Sequence, residues 1–464
     1  MSARVLVVGA GITGLTAARR LAHAGAEVEV LESDARLGGK ISTSTMRGHP
    51  VEDGPDMFLA RVPWARDLCD ELGLTDELVA PATGSAFVWR DGAPRRLPAE
   101  LVLGAPTKIV PLLRSGVLPT ADALRAGLDL LRPRSDLGDD PTVGELIGGR
   151  FGRAVTDRLV DPLIGGINAG AADHLSAAAT APQLLDAARS SRSLLHGLRR
   201  ARAASTLQAT GPVFWSLRGG LGQLVAALHD DLSATGAKVR TGVRVRTVLS
   251  GGADGVTVVT DDEQLDADAV VLTTPAHVTA GIVAEASPAA RRTLDRIRAA
   301  SVSMAVLAVP DDIFARPLDA SGLLFPRVDG NLVTAVSFGS TKWPHWADGH
   351  RILRVSVGRM GDDRGLELDD DALVAAVLDE LDASLGLRGA PLEHRVVRWI
   401  RAFPQYEPGH ADRVTSIRRE LAHALPGVEV AGAAFEGLGI PACVRQGGEV
   451  AERVLARTGV GTGR

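Results

Sequence analysis

The chain opens with an unbroken apolar run, Val5 to Val8, that stops at Gly9. A short run of this kind fits a strand buried on both faces. From about Thr13 to Ala24 apolar residues recur at three- and four-residue spacing, as one face of a helix requires, and Glu27 to Leu31 then reads as a second strand. Far downstream, Val430 to Val454 ("VAGAAFEGLGIPACVRQGGEVAERV") follows a similar plan of apolar run, glycine-rich turn and helical pattern. The pattern predicts a strand over Glu429 to Gly432, beside Val5 to Val8, and a helix over Ala442 to Leu455.

Between these ends the pattern changes three times. Residues 86–205 are helix-like and punctuated by proline. The stretch "VRTGVRVRTVLSGGADGVTVVTDDEQLDADAVVLTTPA" alternates apolar and polar residues around glycine and aspartate turns, which predicts a three-stranded meander. From His277 to Gly409 strand-like segments surround one helix, "DDDALVAAVLDELDASLGL", with an acidic first turn and Gly386 near its end. The expected architecture is α/β: a discontinuous Rossmann-like domain (1–85, 206–276 and 410–464), a helical insertion (86–205) and an α+β substrate domain (277–409).

Composition removes several classes of function. With 464 residues and 45% apolar content the chain can bury more than one core, and a net charge of −5 argues against general nucleic-acid binding. Cys69 and Cys443 have neither metal-ligand spacing nor a disulfide framework, which fits a reducing cytoplasm. No apolar run has the roughly 18 to 20 residues of a spanning helix. The segment "LLRSGVLPTADALRAGLDLLRPR" reads as an amphipathic packing helix, with peripheral contact to a bilayer as the alternative.

The first turn carries the chemistry. Gly9, Gly11 and Gly14, with Ala10, Ile12 and Thr13 between them, have the G-x-G-x-x-G spacing between strand and helix. Gly9 permits the sharp turn, Gly11 lets backbone N–H groups approach a pyrophosphate, and Gly14 lets the helix pack on the strand. The positive end of the helix then faces the anion. Glu32 closes the second strand, where a carboxylate accepts from both ribose hydroxyls and disfavours a 2′-phosphate. "ARLGGKIST" follows, a second glycine pair with Lys40, which suits a cofactor longer than NAD and points to FAD.

With these motifs in order, the chain resembles the FAD-dependent, oxygen-using porphyrinogen oxidases along nearly its whole length. The matching segments are "GPDMFLAR", "RRLPAELVLGAPT", "DPLIGGINAGAADHLSAAATAPQL", "STKWPHW" and "RWIRAFPQYEPGHADRV". The resemblance implies flavin contacts at the first glycine turn, at Glu32 with Ser33, and at Lys40. It adds Gly54, Pro55, Asp56 and Met57, then Val245, Trp399, and the turn at Gly439, Ile440 and Pro441. It further implies oxidation of coproporphyrinogen III to coproporphyrin III in haem biosynthesis, with O2 as acceptor and a ferrochelatase downstream. Protoporphyrinogen IX is the alternative substrate, and an amine or polyene oxidase or a non-enzymatic carrier of the same fold are the rivals.

The flavin performs the oxidation, so no catalytic acid or base is expected. For the substrate carboxylates Arg61, which ends "GPDMFLAR", is the first candidate, followed by Arg95, Arg96 and Arg327, because arginine can grip a propionate with two bonds. Asn168 is added at the position where many relatives carry an aromatic residue. Lys342 resembles the lysine of amine oxidases, but its setting fits the porphyrinogen oxidase pattern and it is assigned no catalytic role.

Overall fold

The computed structural model describes residues 2–134, 136–208, 211–251, 255–314 and 317–460, so the turn expected at 252–254 lies outside the described residues. At its centre is a parallel sheet in the order Lys238–Arg240, Glu27–Leu31, Arg4–Val8, Ala269–Leu272, Val428–Val430. Period-two alternation divides the first strand between two cores. Val5 and Val7 face the helix Ile12–His23 and the C-terminal helix Ile440–Thr458, whereas Leu6 and Val8 face the meander and the helix His410–Ala424.

The strand expected beside Val5 to Val8 is one position further out. Val428–Val430 pairs in parallel with Ala269–Leu272, which itself pairs with Arg4–Val8. The intervening strand is the apolar run "AVVL", all of it buried, so it belongs to the two-sided parallel sheet and not to the meander. The meander consists of Val245–Ser250, Val256–Thr260 and Gln264–Ala267.

The second large sheet has seven strands, in the order Glu393–Pro404, Ala299–Pro310, His350–Val357, Val333–Phe338, Gly322–Leu324, Phe87–Arg90, Ala93–Arg96. Its last two strands come from the opening of the stretch that reads as helical, and Leu323 and Leu324 pair in parallel with Phe87 and Val88. The helix Asp370–Leu385 packs on this sheet. Asp369 caps its start by accepting from the Ala372 N–H at 2.8 Å, and Gly386, at φ +67°, ends it.

The remaining helices bury their own core, with Leu112, Leu146, Phe151, Leu184 and Leu195 inside. The expected single amphipathic helix near residue 120 is broken. Gly116 (φ +64°) and Pro119 divide it into Ile109–Ser115 and Thr120–Gly127, leaving Val110, Leu124, Leu128 and Leu131 exposed. No helix among the described residues is long and apolar enough to cross a membrane.

Candidate functional site

At the first turn Gly9 adopts φ +100° and donates its N–H to the Leu31 carbonyl at 2.8 Å. A Cβ on Gly14 would stand 1.9 Å from the Gly9 carbonyl oxygen, so the helix can seat on the turn only without a side chain there. At Gly11 no atom lies within 4 Å of the place a Cβ would take, and no side chain caps the helix that begins at Ile12. Open space therefore lies before a set of unpaired N–H groups, which is where an anion binds.

Glu32 is fixed at the rim of this space. Its carboxylate accepts from the Ala10 N–H at 2.7 Å, the Asp34 N–H at 2.9 Å and the Ser33 hydroxyl at 3.2 Å. Its carbonyl accepts from the Val243 N–H at 2.8 Å, which brings the buried side chain of Val245 to the same corner. Lys40 is half-buried with no carboxylate partner among the described residues, and burial pulls its ammonium below the usual lysine range. An unpaired cation beside an uncapped helix N-terminus has the charge a diphosphate requires.

The segment Gly54 to Met57 packs against this cradle. A Cβ on Gly54 would stand 2.1 Å from the Lys40 carbonyl oxygen and 3.5 Å from the Trp399 ring, while the Trp399 indole N–H donates to the Asp53 carbonyl at 2.9 Å. Asp56 is buried and takes Lys342 Nζ at 2.6 Å, Arg354 at 3.1 Å and the Trp343 indole N–H at 3.3 Å. Burial alone would raise its pKa, but the two cations hold it well below the carboxylate range. The Asp56 carboxylate is thus committed to an ion cluster, and so is Lys342. Met57 packs on the cluster that contains Trp343 and Trp346, and Pro55 carries the chain between the two sites.

The C-terminal turn closes the same site. Gly439 precedes the helix Ile440–Thr458, which starts two residues earlier than its pattern suggests, has Pro441 in its first turn and has no side-chain cap. The hydroxyl of Tyr406 donates to the Ala433 carbonyl at 2.5 Å and accepts from the Gly437 N–H at 3.0 Å. His410 stacks on that tyrosine at 4.2 Å and bonds the Phe435 carbonyl at 2.7 Å, so it holds the turn. Burial pushes the Cys443 thiol up, which leaves it a poor nucleophile.

Next to this region is a pocket whose walls include Asp161, Gly166, Gly170, Val302, Arg359 and Phe403. Val302 pairs with Trp399 across adjacent strands, so the pocket adjoins the segment that carries Trp399. Arg327 reaches its edge, with guanidinium bonds of 3.3 Å to the Met360 and Gly170 carbonyls. Asn168 is buried, but its amide donates to the Ile164 carbonyl of its own helix at 3.0 Å. Arg61 is exposed beyond the strand Phe58–Leu59 and does not line this pocket, and Arg96 pairs with Asp319 at 2.7 Å. Sequence reasoning missed Asp161, Arg359 and the Arg354 link to Asp56. A charge inside the apolar strand "RILRVSV" was the available signal for Arg354.

Residues 12–455 match the flavin-containing amine oxidoreductase family. The chain belongs to this family. Within it, coproporphyrinogen III oxidase of Bacillus subtilis (strain 168) is 35% identical over 454 residues, 96% of this chain and 96% of that protein. Coproporphyrinogen III oxidase of Propionibacterium freudenreichii is 36% identical, over 97% of this chain and 90% of that protein. A solved structure of a proposed protoporphyrinogen oxidase from Exiguobacterium sp. 255-15 superposes with TM-score 0.89 at 30% identity, covering 98% and 99% of the two chains. As a flavin amine oxidoreductase the chain uses FAD, and the residues present fit it: open space at Gly11, a carboxylate pinned at Glu32 and a Lys40 with no carboxylate partner among the described residues.

Proposed function

We propose that this flavoenzyme oxidises coproporphyrinogen III to coproporphyrin III. The observation that carries the reading is the match to coproporphyrinogen III oxidases over nearly the full length, at 35% and 36% identity. When bound, FAD supplies hydride acceptance from the saturated macrocycle, three times per porphyrinogen, with O2 taking the electrons as H2O2.

The chain's own residues bind, orient and enclose. The Gly9–Gly14 turn and the Ile440 helix start offer two positive helix ends to the cofactor's anionic parts. Trp399, held by Asp53, and Val302 beside it form the wall between cofactor and pocket. The small apolar cluster of Ala169, Ala300 and Val302, with Phe403 and Met360 against it, keeps water from the macrocycle. No protein acid or base is assigned to the proton that leaves with each hydride, and burial pulls the His345 imidazole below its usual pKa, which favours its neutral form.

The substrate contacts are Arg327 and residues near it, with Arg61 at the outer approach. We place the protein in the cytoplasm and its product with an enzyme that inserts a metal into the porphyrin. Anaerobically prepared coproporphyrinogen III and protoporphyrinogen IX, each followed by porphyrin fluorescence, test the reading. Faster turnover of coproporphyrinogen III is expected, and a tenfold or greater preference for protoporphyrinogen IX, a large margin in kcat/KM, would reverse it.

A further inference from the structure

We propose that Arg359 takes one propionate carboxylate of the substrate, with Arg327 beside it, an inference that rests on the porphyrinogen reading above. The Arg359 side chain is 8% exposed yet lines the pocket. Its Nε has no hydrogen-bond partner among the described residues, and its one side-chain bond is a long 3.4 Å contact to the Asn331 carbonyl. A buried guanidinium with so few partners is costly unless an anion joins it.

The nearby carboxylates do not supply that anion. Asp362 Oδ2 lies 3.8 Å from Arg359 Nε, but both oxygens of Asp362 are gripped by Arg364 at 2.8 Å. Asp161 is 3.9 Å from Arg327 Nε, which is also buried without a hydrogen-bond partner, and its other oxygen accepts the Ala172 N–H at 2.8 Å. Once Asp362 is assigned to Arg364, which also faces Glu380, Asp161 is the one carboxylate left between the Arg327 and Arg359 guanidiniums, two cations to one anion. Its complement is a single negative charge with two acceptor oxygens, and a carboxylate is that group.

Burial and the neighbouring charge of Arg327 pull the Arg359 pKa down, the sign expected for a cation short of counter-charge. The same pocket is lined by Val302, Phe325 and Phe403, an apolar surface for the edge of a flat ring. A purely structural role explains less. The turn from Arg359 to Asp362 is held by backbone bonds of 2.9 and 3.4 Å that any residue would make.

Arg359→Met and Arg359→Lys test the assignment against coproporphyrinogen III and its tetramethyl ester in the same mild detergent. For Arg359→Met the KM of the free acid is expected to rise about tenfold or more, with kcat, FAD content and the KM of the ester near wild type. Arg359→Lys should recover part of the loss, because it restores charge without the two-bond grip. An unchanged KM for the acid, or equal rises for acid and ester, would overturn the role. Should Arg359→Met not fold, the acid-to-ester KM ratio of Arg359→Lys decides: a ratio equal to wild type rejects the site. Wild-type protein that oxidises no porphyrinogen would instead strike the reading on which this one rests.

Discussion

Gly447 of the C-terminal helix lies so near Thr13 of the first helix that a Cβ on Gly447 would stand 2.7 Å from the Thr13 carbonyl oxygen. Backbone meets backbone there, and neither helix can give way without moving the glycine turn at Gly9 to Gly14. Gly447→Ala is therefore expected to cost about 1 to 3 kcal/mol, as overpacking does. It should also lower the FAD-to-protein ratio after gel filtration. A wild-type melting temperature in the variant would show that the crossing is looser than described.

Glu32→Ala removes the acceptor of the Ala10 and Asp34 N–H groups together with the proposed ribose contact. FAD affinity is expected to fall by about 2 to 5 kcal/mol, the range for losing a buried hydrogen-bonding partner. Flavin fluorescence titration of the apoprotein measures this. Retention equal to wild type would remove Glu32 from the cofactor site.

Glu52 makes the pH dependence of stability testable. It is fully buried, and burial pushes its pKa from 4.5 up to about 7, against the opposing bonds from the Leu221 N–H at 2.5 Å and the Thr43 hydroxyl at 2.8 Å. An acid raised in the folded state contributes stability below its unfolded pKa and loses it as pH rises through the folded value. Between about pH 5 and pH 8 the wild type should lose about 2 to 3 kcal/mol relative to Glu52→Gln. Urea denaturation at the two pH values checks the slope, and parallel curves for both proteins would show Glu52 to be charged throughout.

Tyr406 is the chain's single tyrosine, and its hydroxyl joins Ala433 to Gly437 ahead of the Gly439 turn. Tyr406→Phe leaves a buried N–H and carbonyl without this partner and is expected to cost about 1 to 3 kcal/mol. If the turn faces the cofactor, as proposed, the variant should release FAD at a lower temperature than it unfolds. Loss of FAD and fold in one transition, at the wild-type temperature, would contradict this.

The parts of the site that are local in the chain are legible in the sequence. Gly9 to Gly14 and Glu32 form a pattern whose spacing follows from backbone geometry, and the helices at Asp370 and Ile440 carry their own start and stop signals. What depends on long-range partners is not legible. Asp56 stands in a motif that resemblance assigns to the flavin, but its carboxylate is claimed by Lys342, 286 residues away. The same holds for sheet order, because "AVVL" and "VEVAG" are both short apolar-rich runs and assembly decides which lies next to Arg4–Val8. Arg359 was hidden by abundance, since arginine supplies almost every cation of this chain and one more after a strand carries no distinguishing signal.

The parallel sheet draws its strands from residues beginning at 4, 27, 238, 269 and 428, in an order that interleaves early and late segments. During synthesis the first glycine turn emerges hundreds of residues before the helix that backs it; the Arg4–Val8 strand gains its second neighbour at Ala269–Leu272, whose own outer edge then waits for Val428–Val430. A flavin site built from both ends of the chain, as we propose, is complete only once the helix Ile440–Thr458 packs behind the Gly9 to Gly14 turn. Until then an apolar strand edge is open to mispairing, and FAD present as the fold closes would stabilise the native state by mass action.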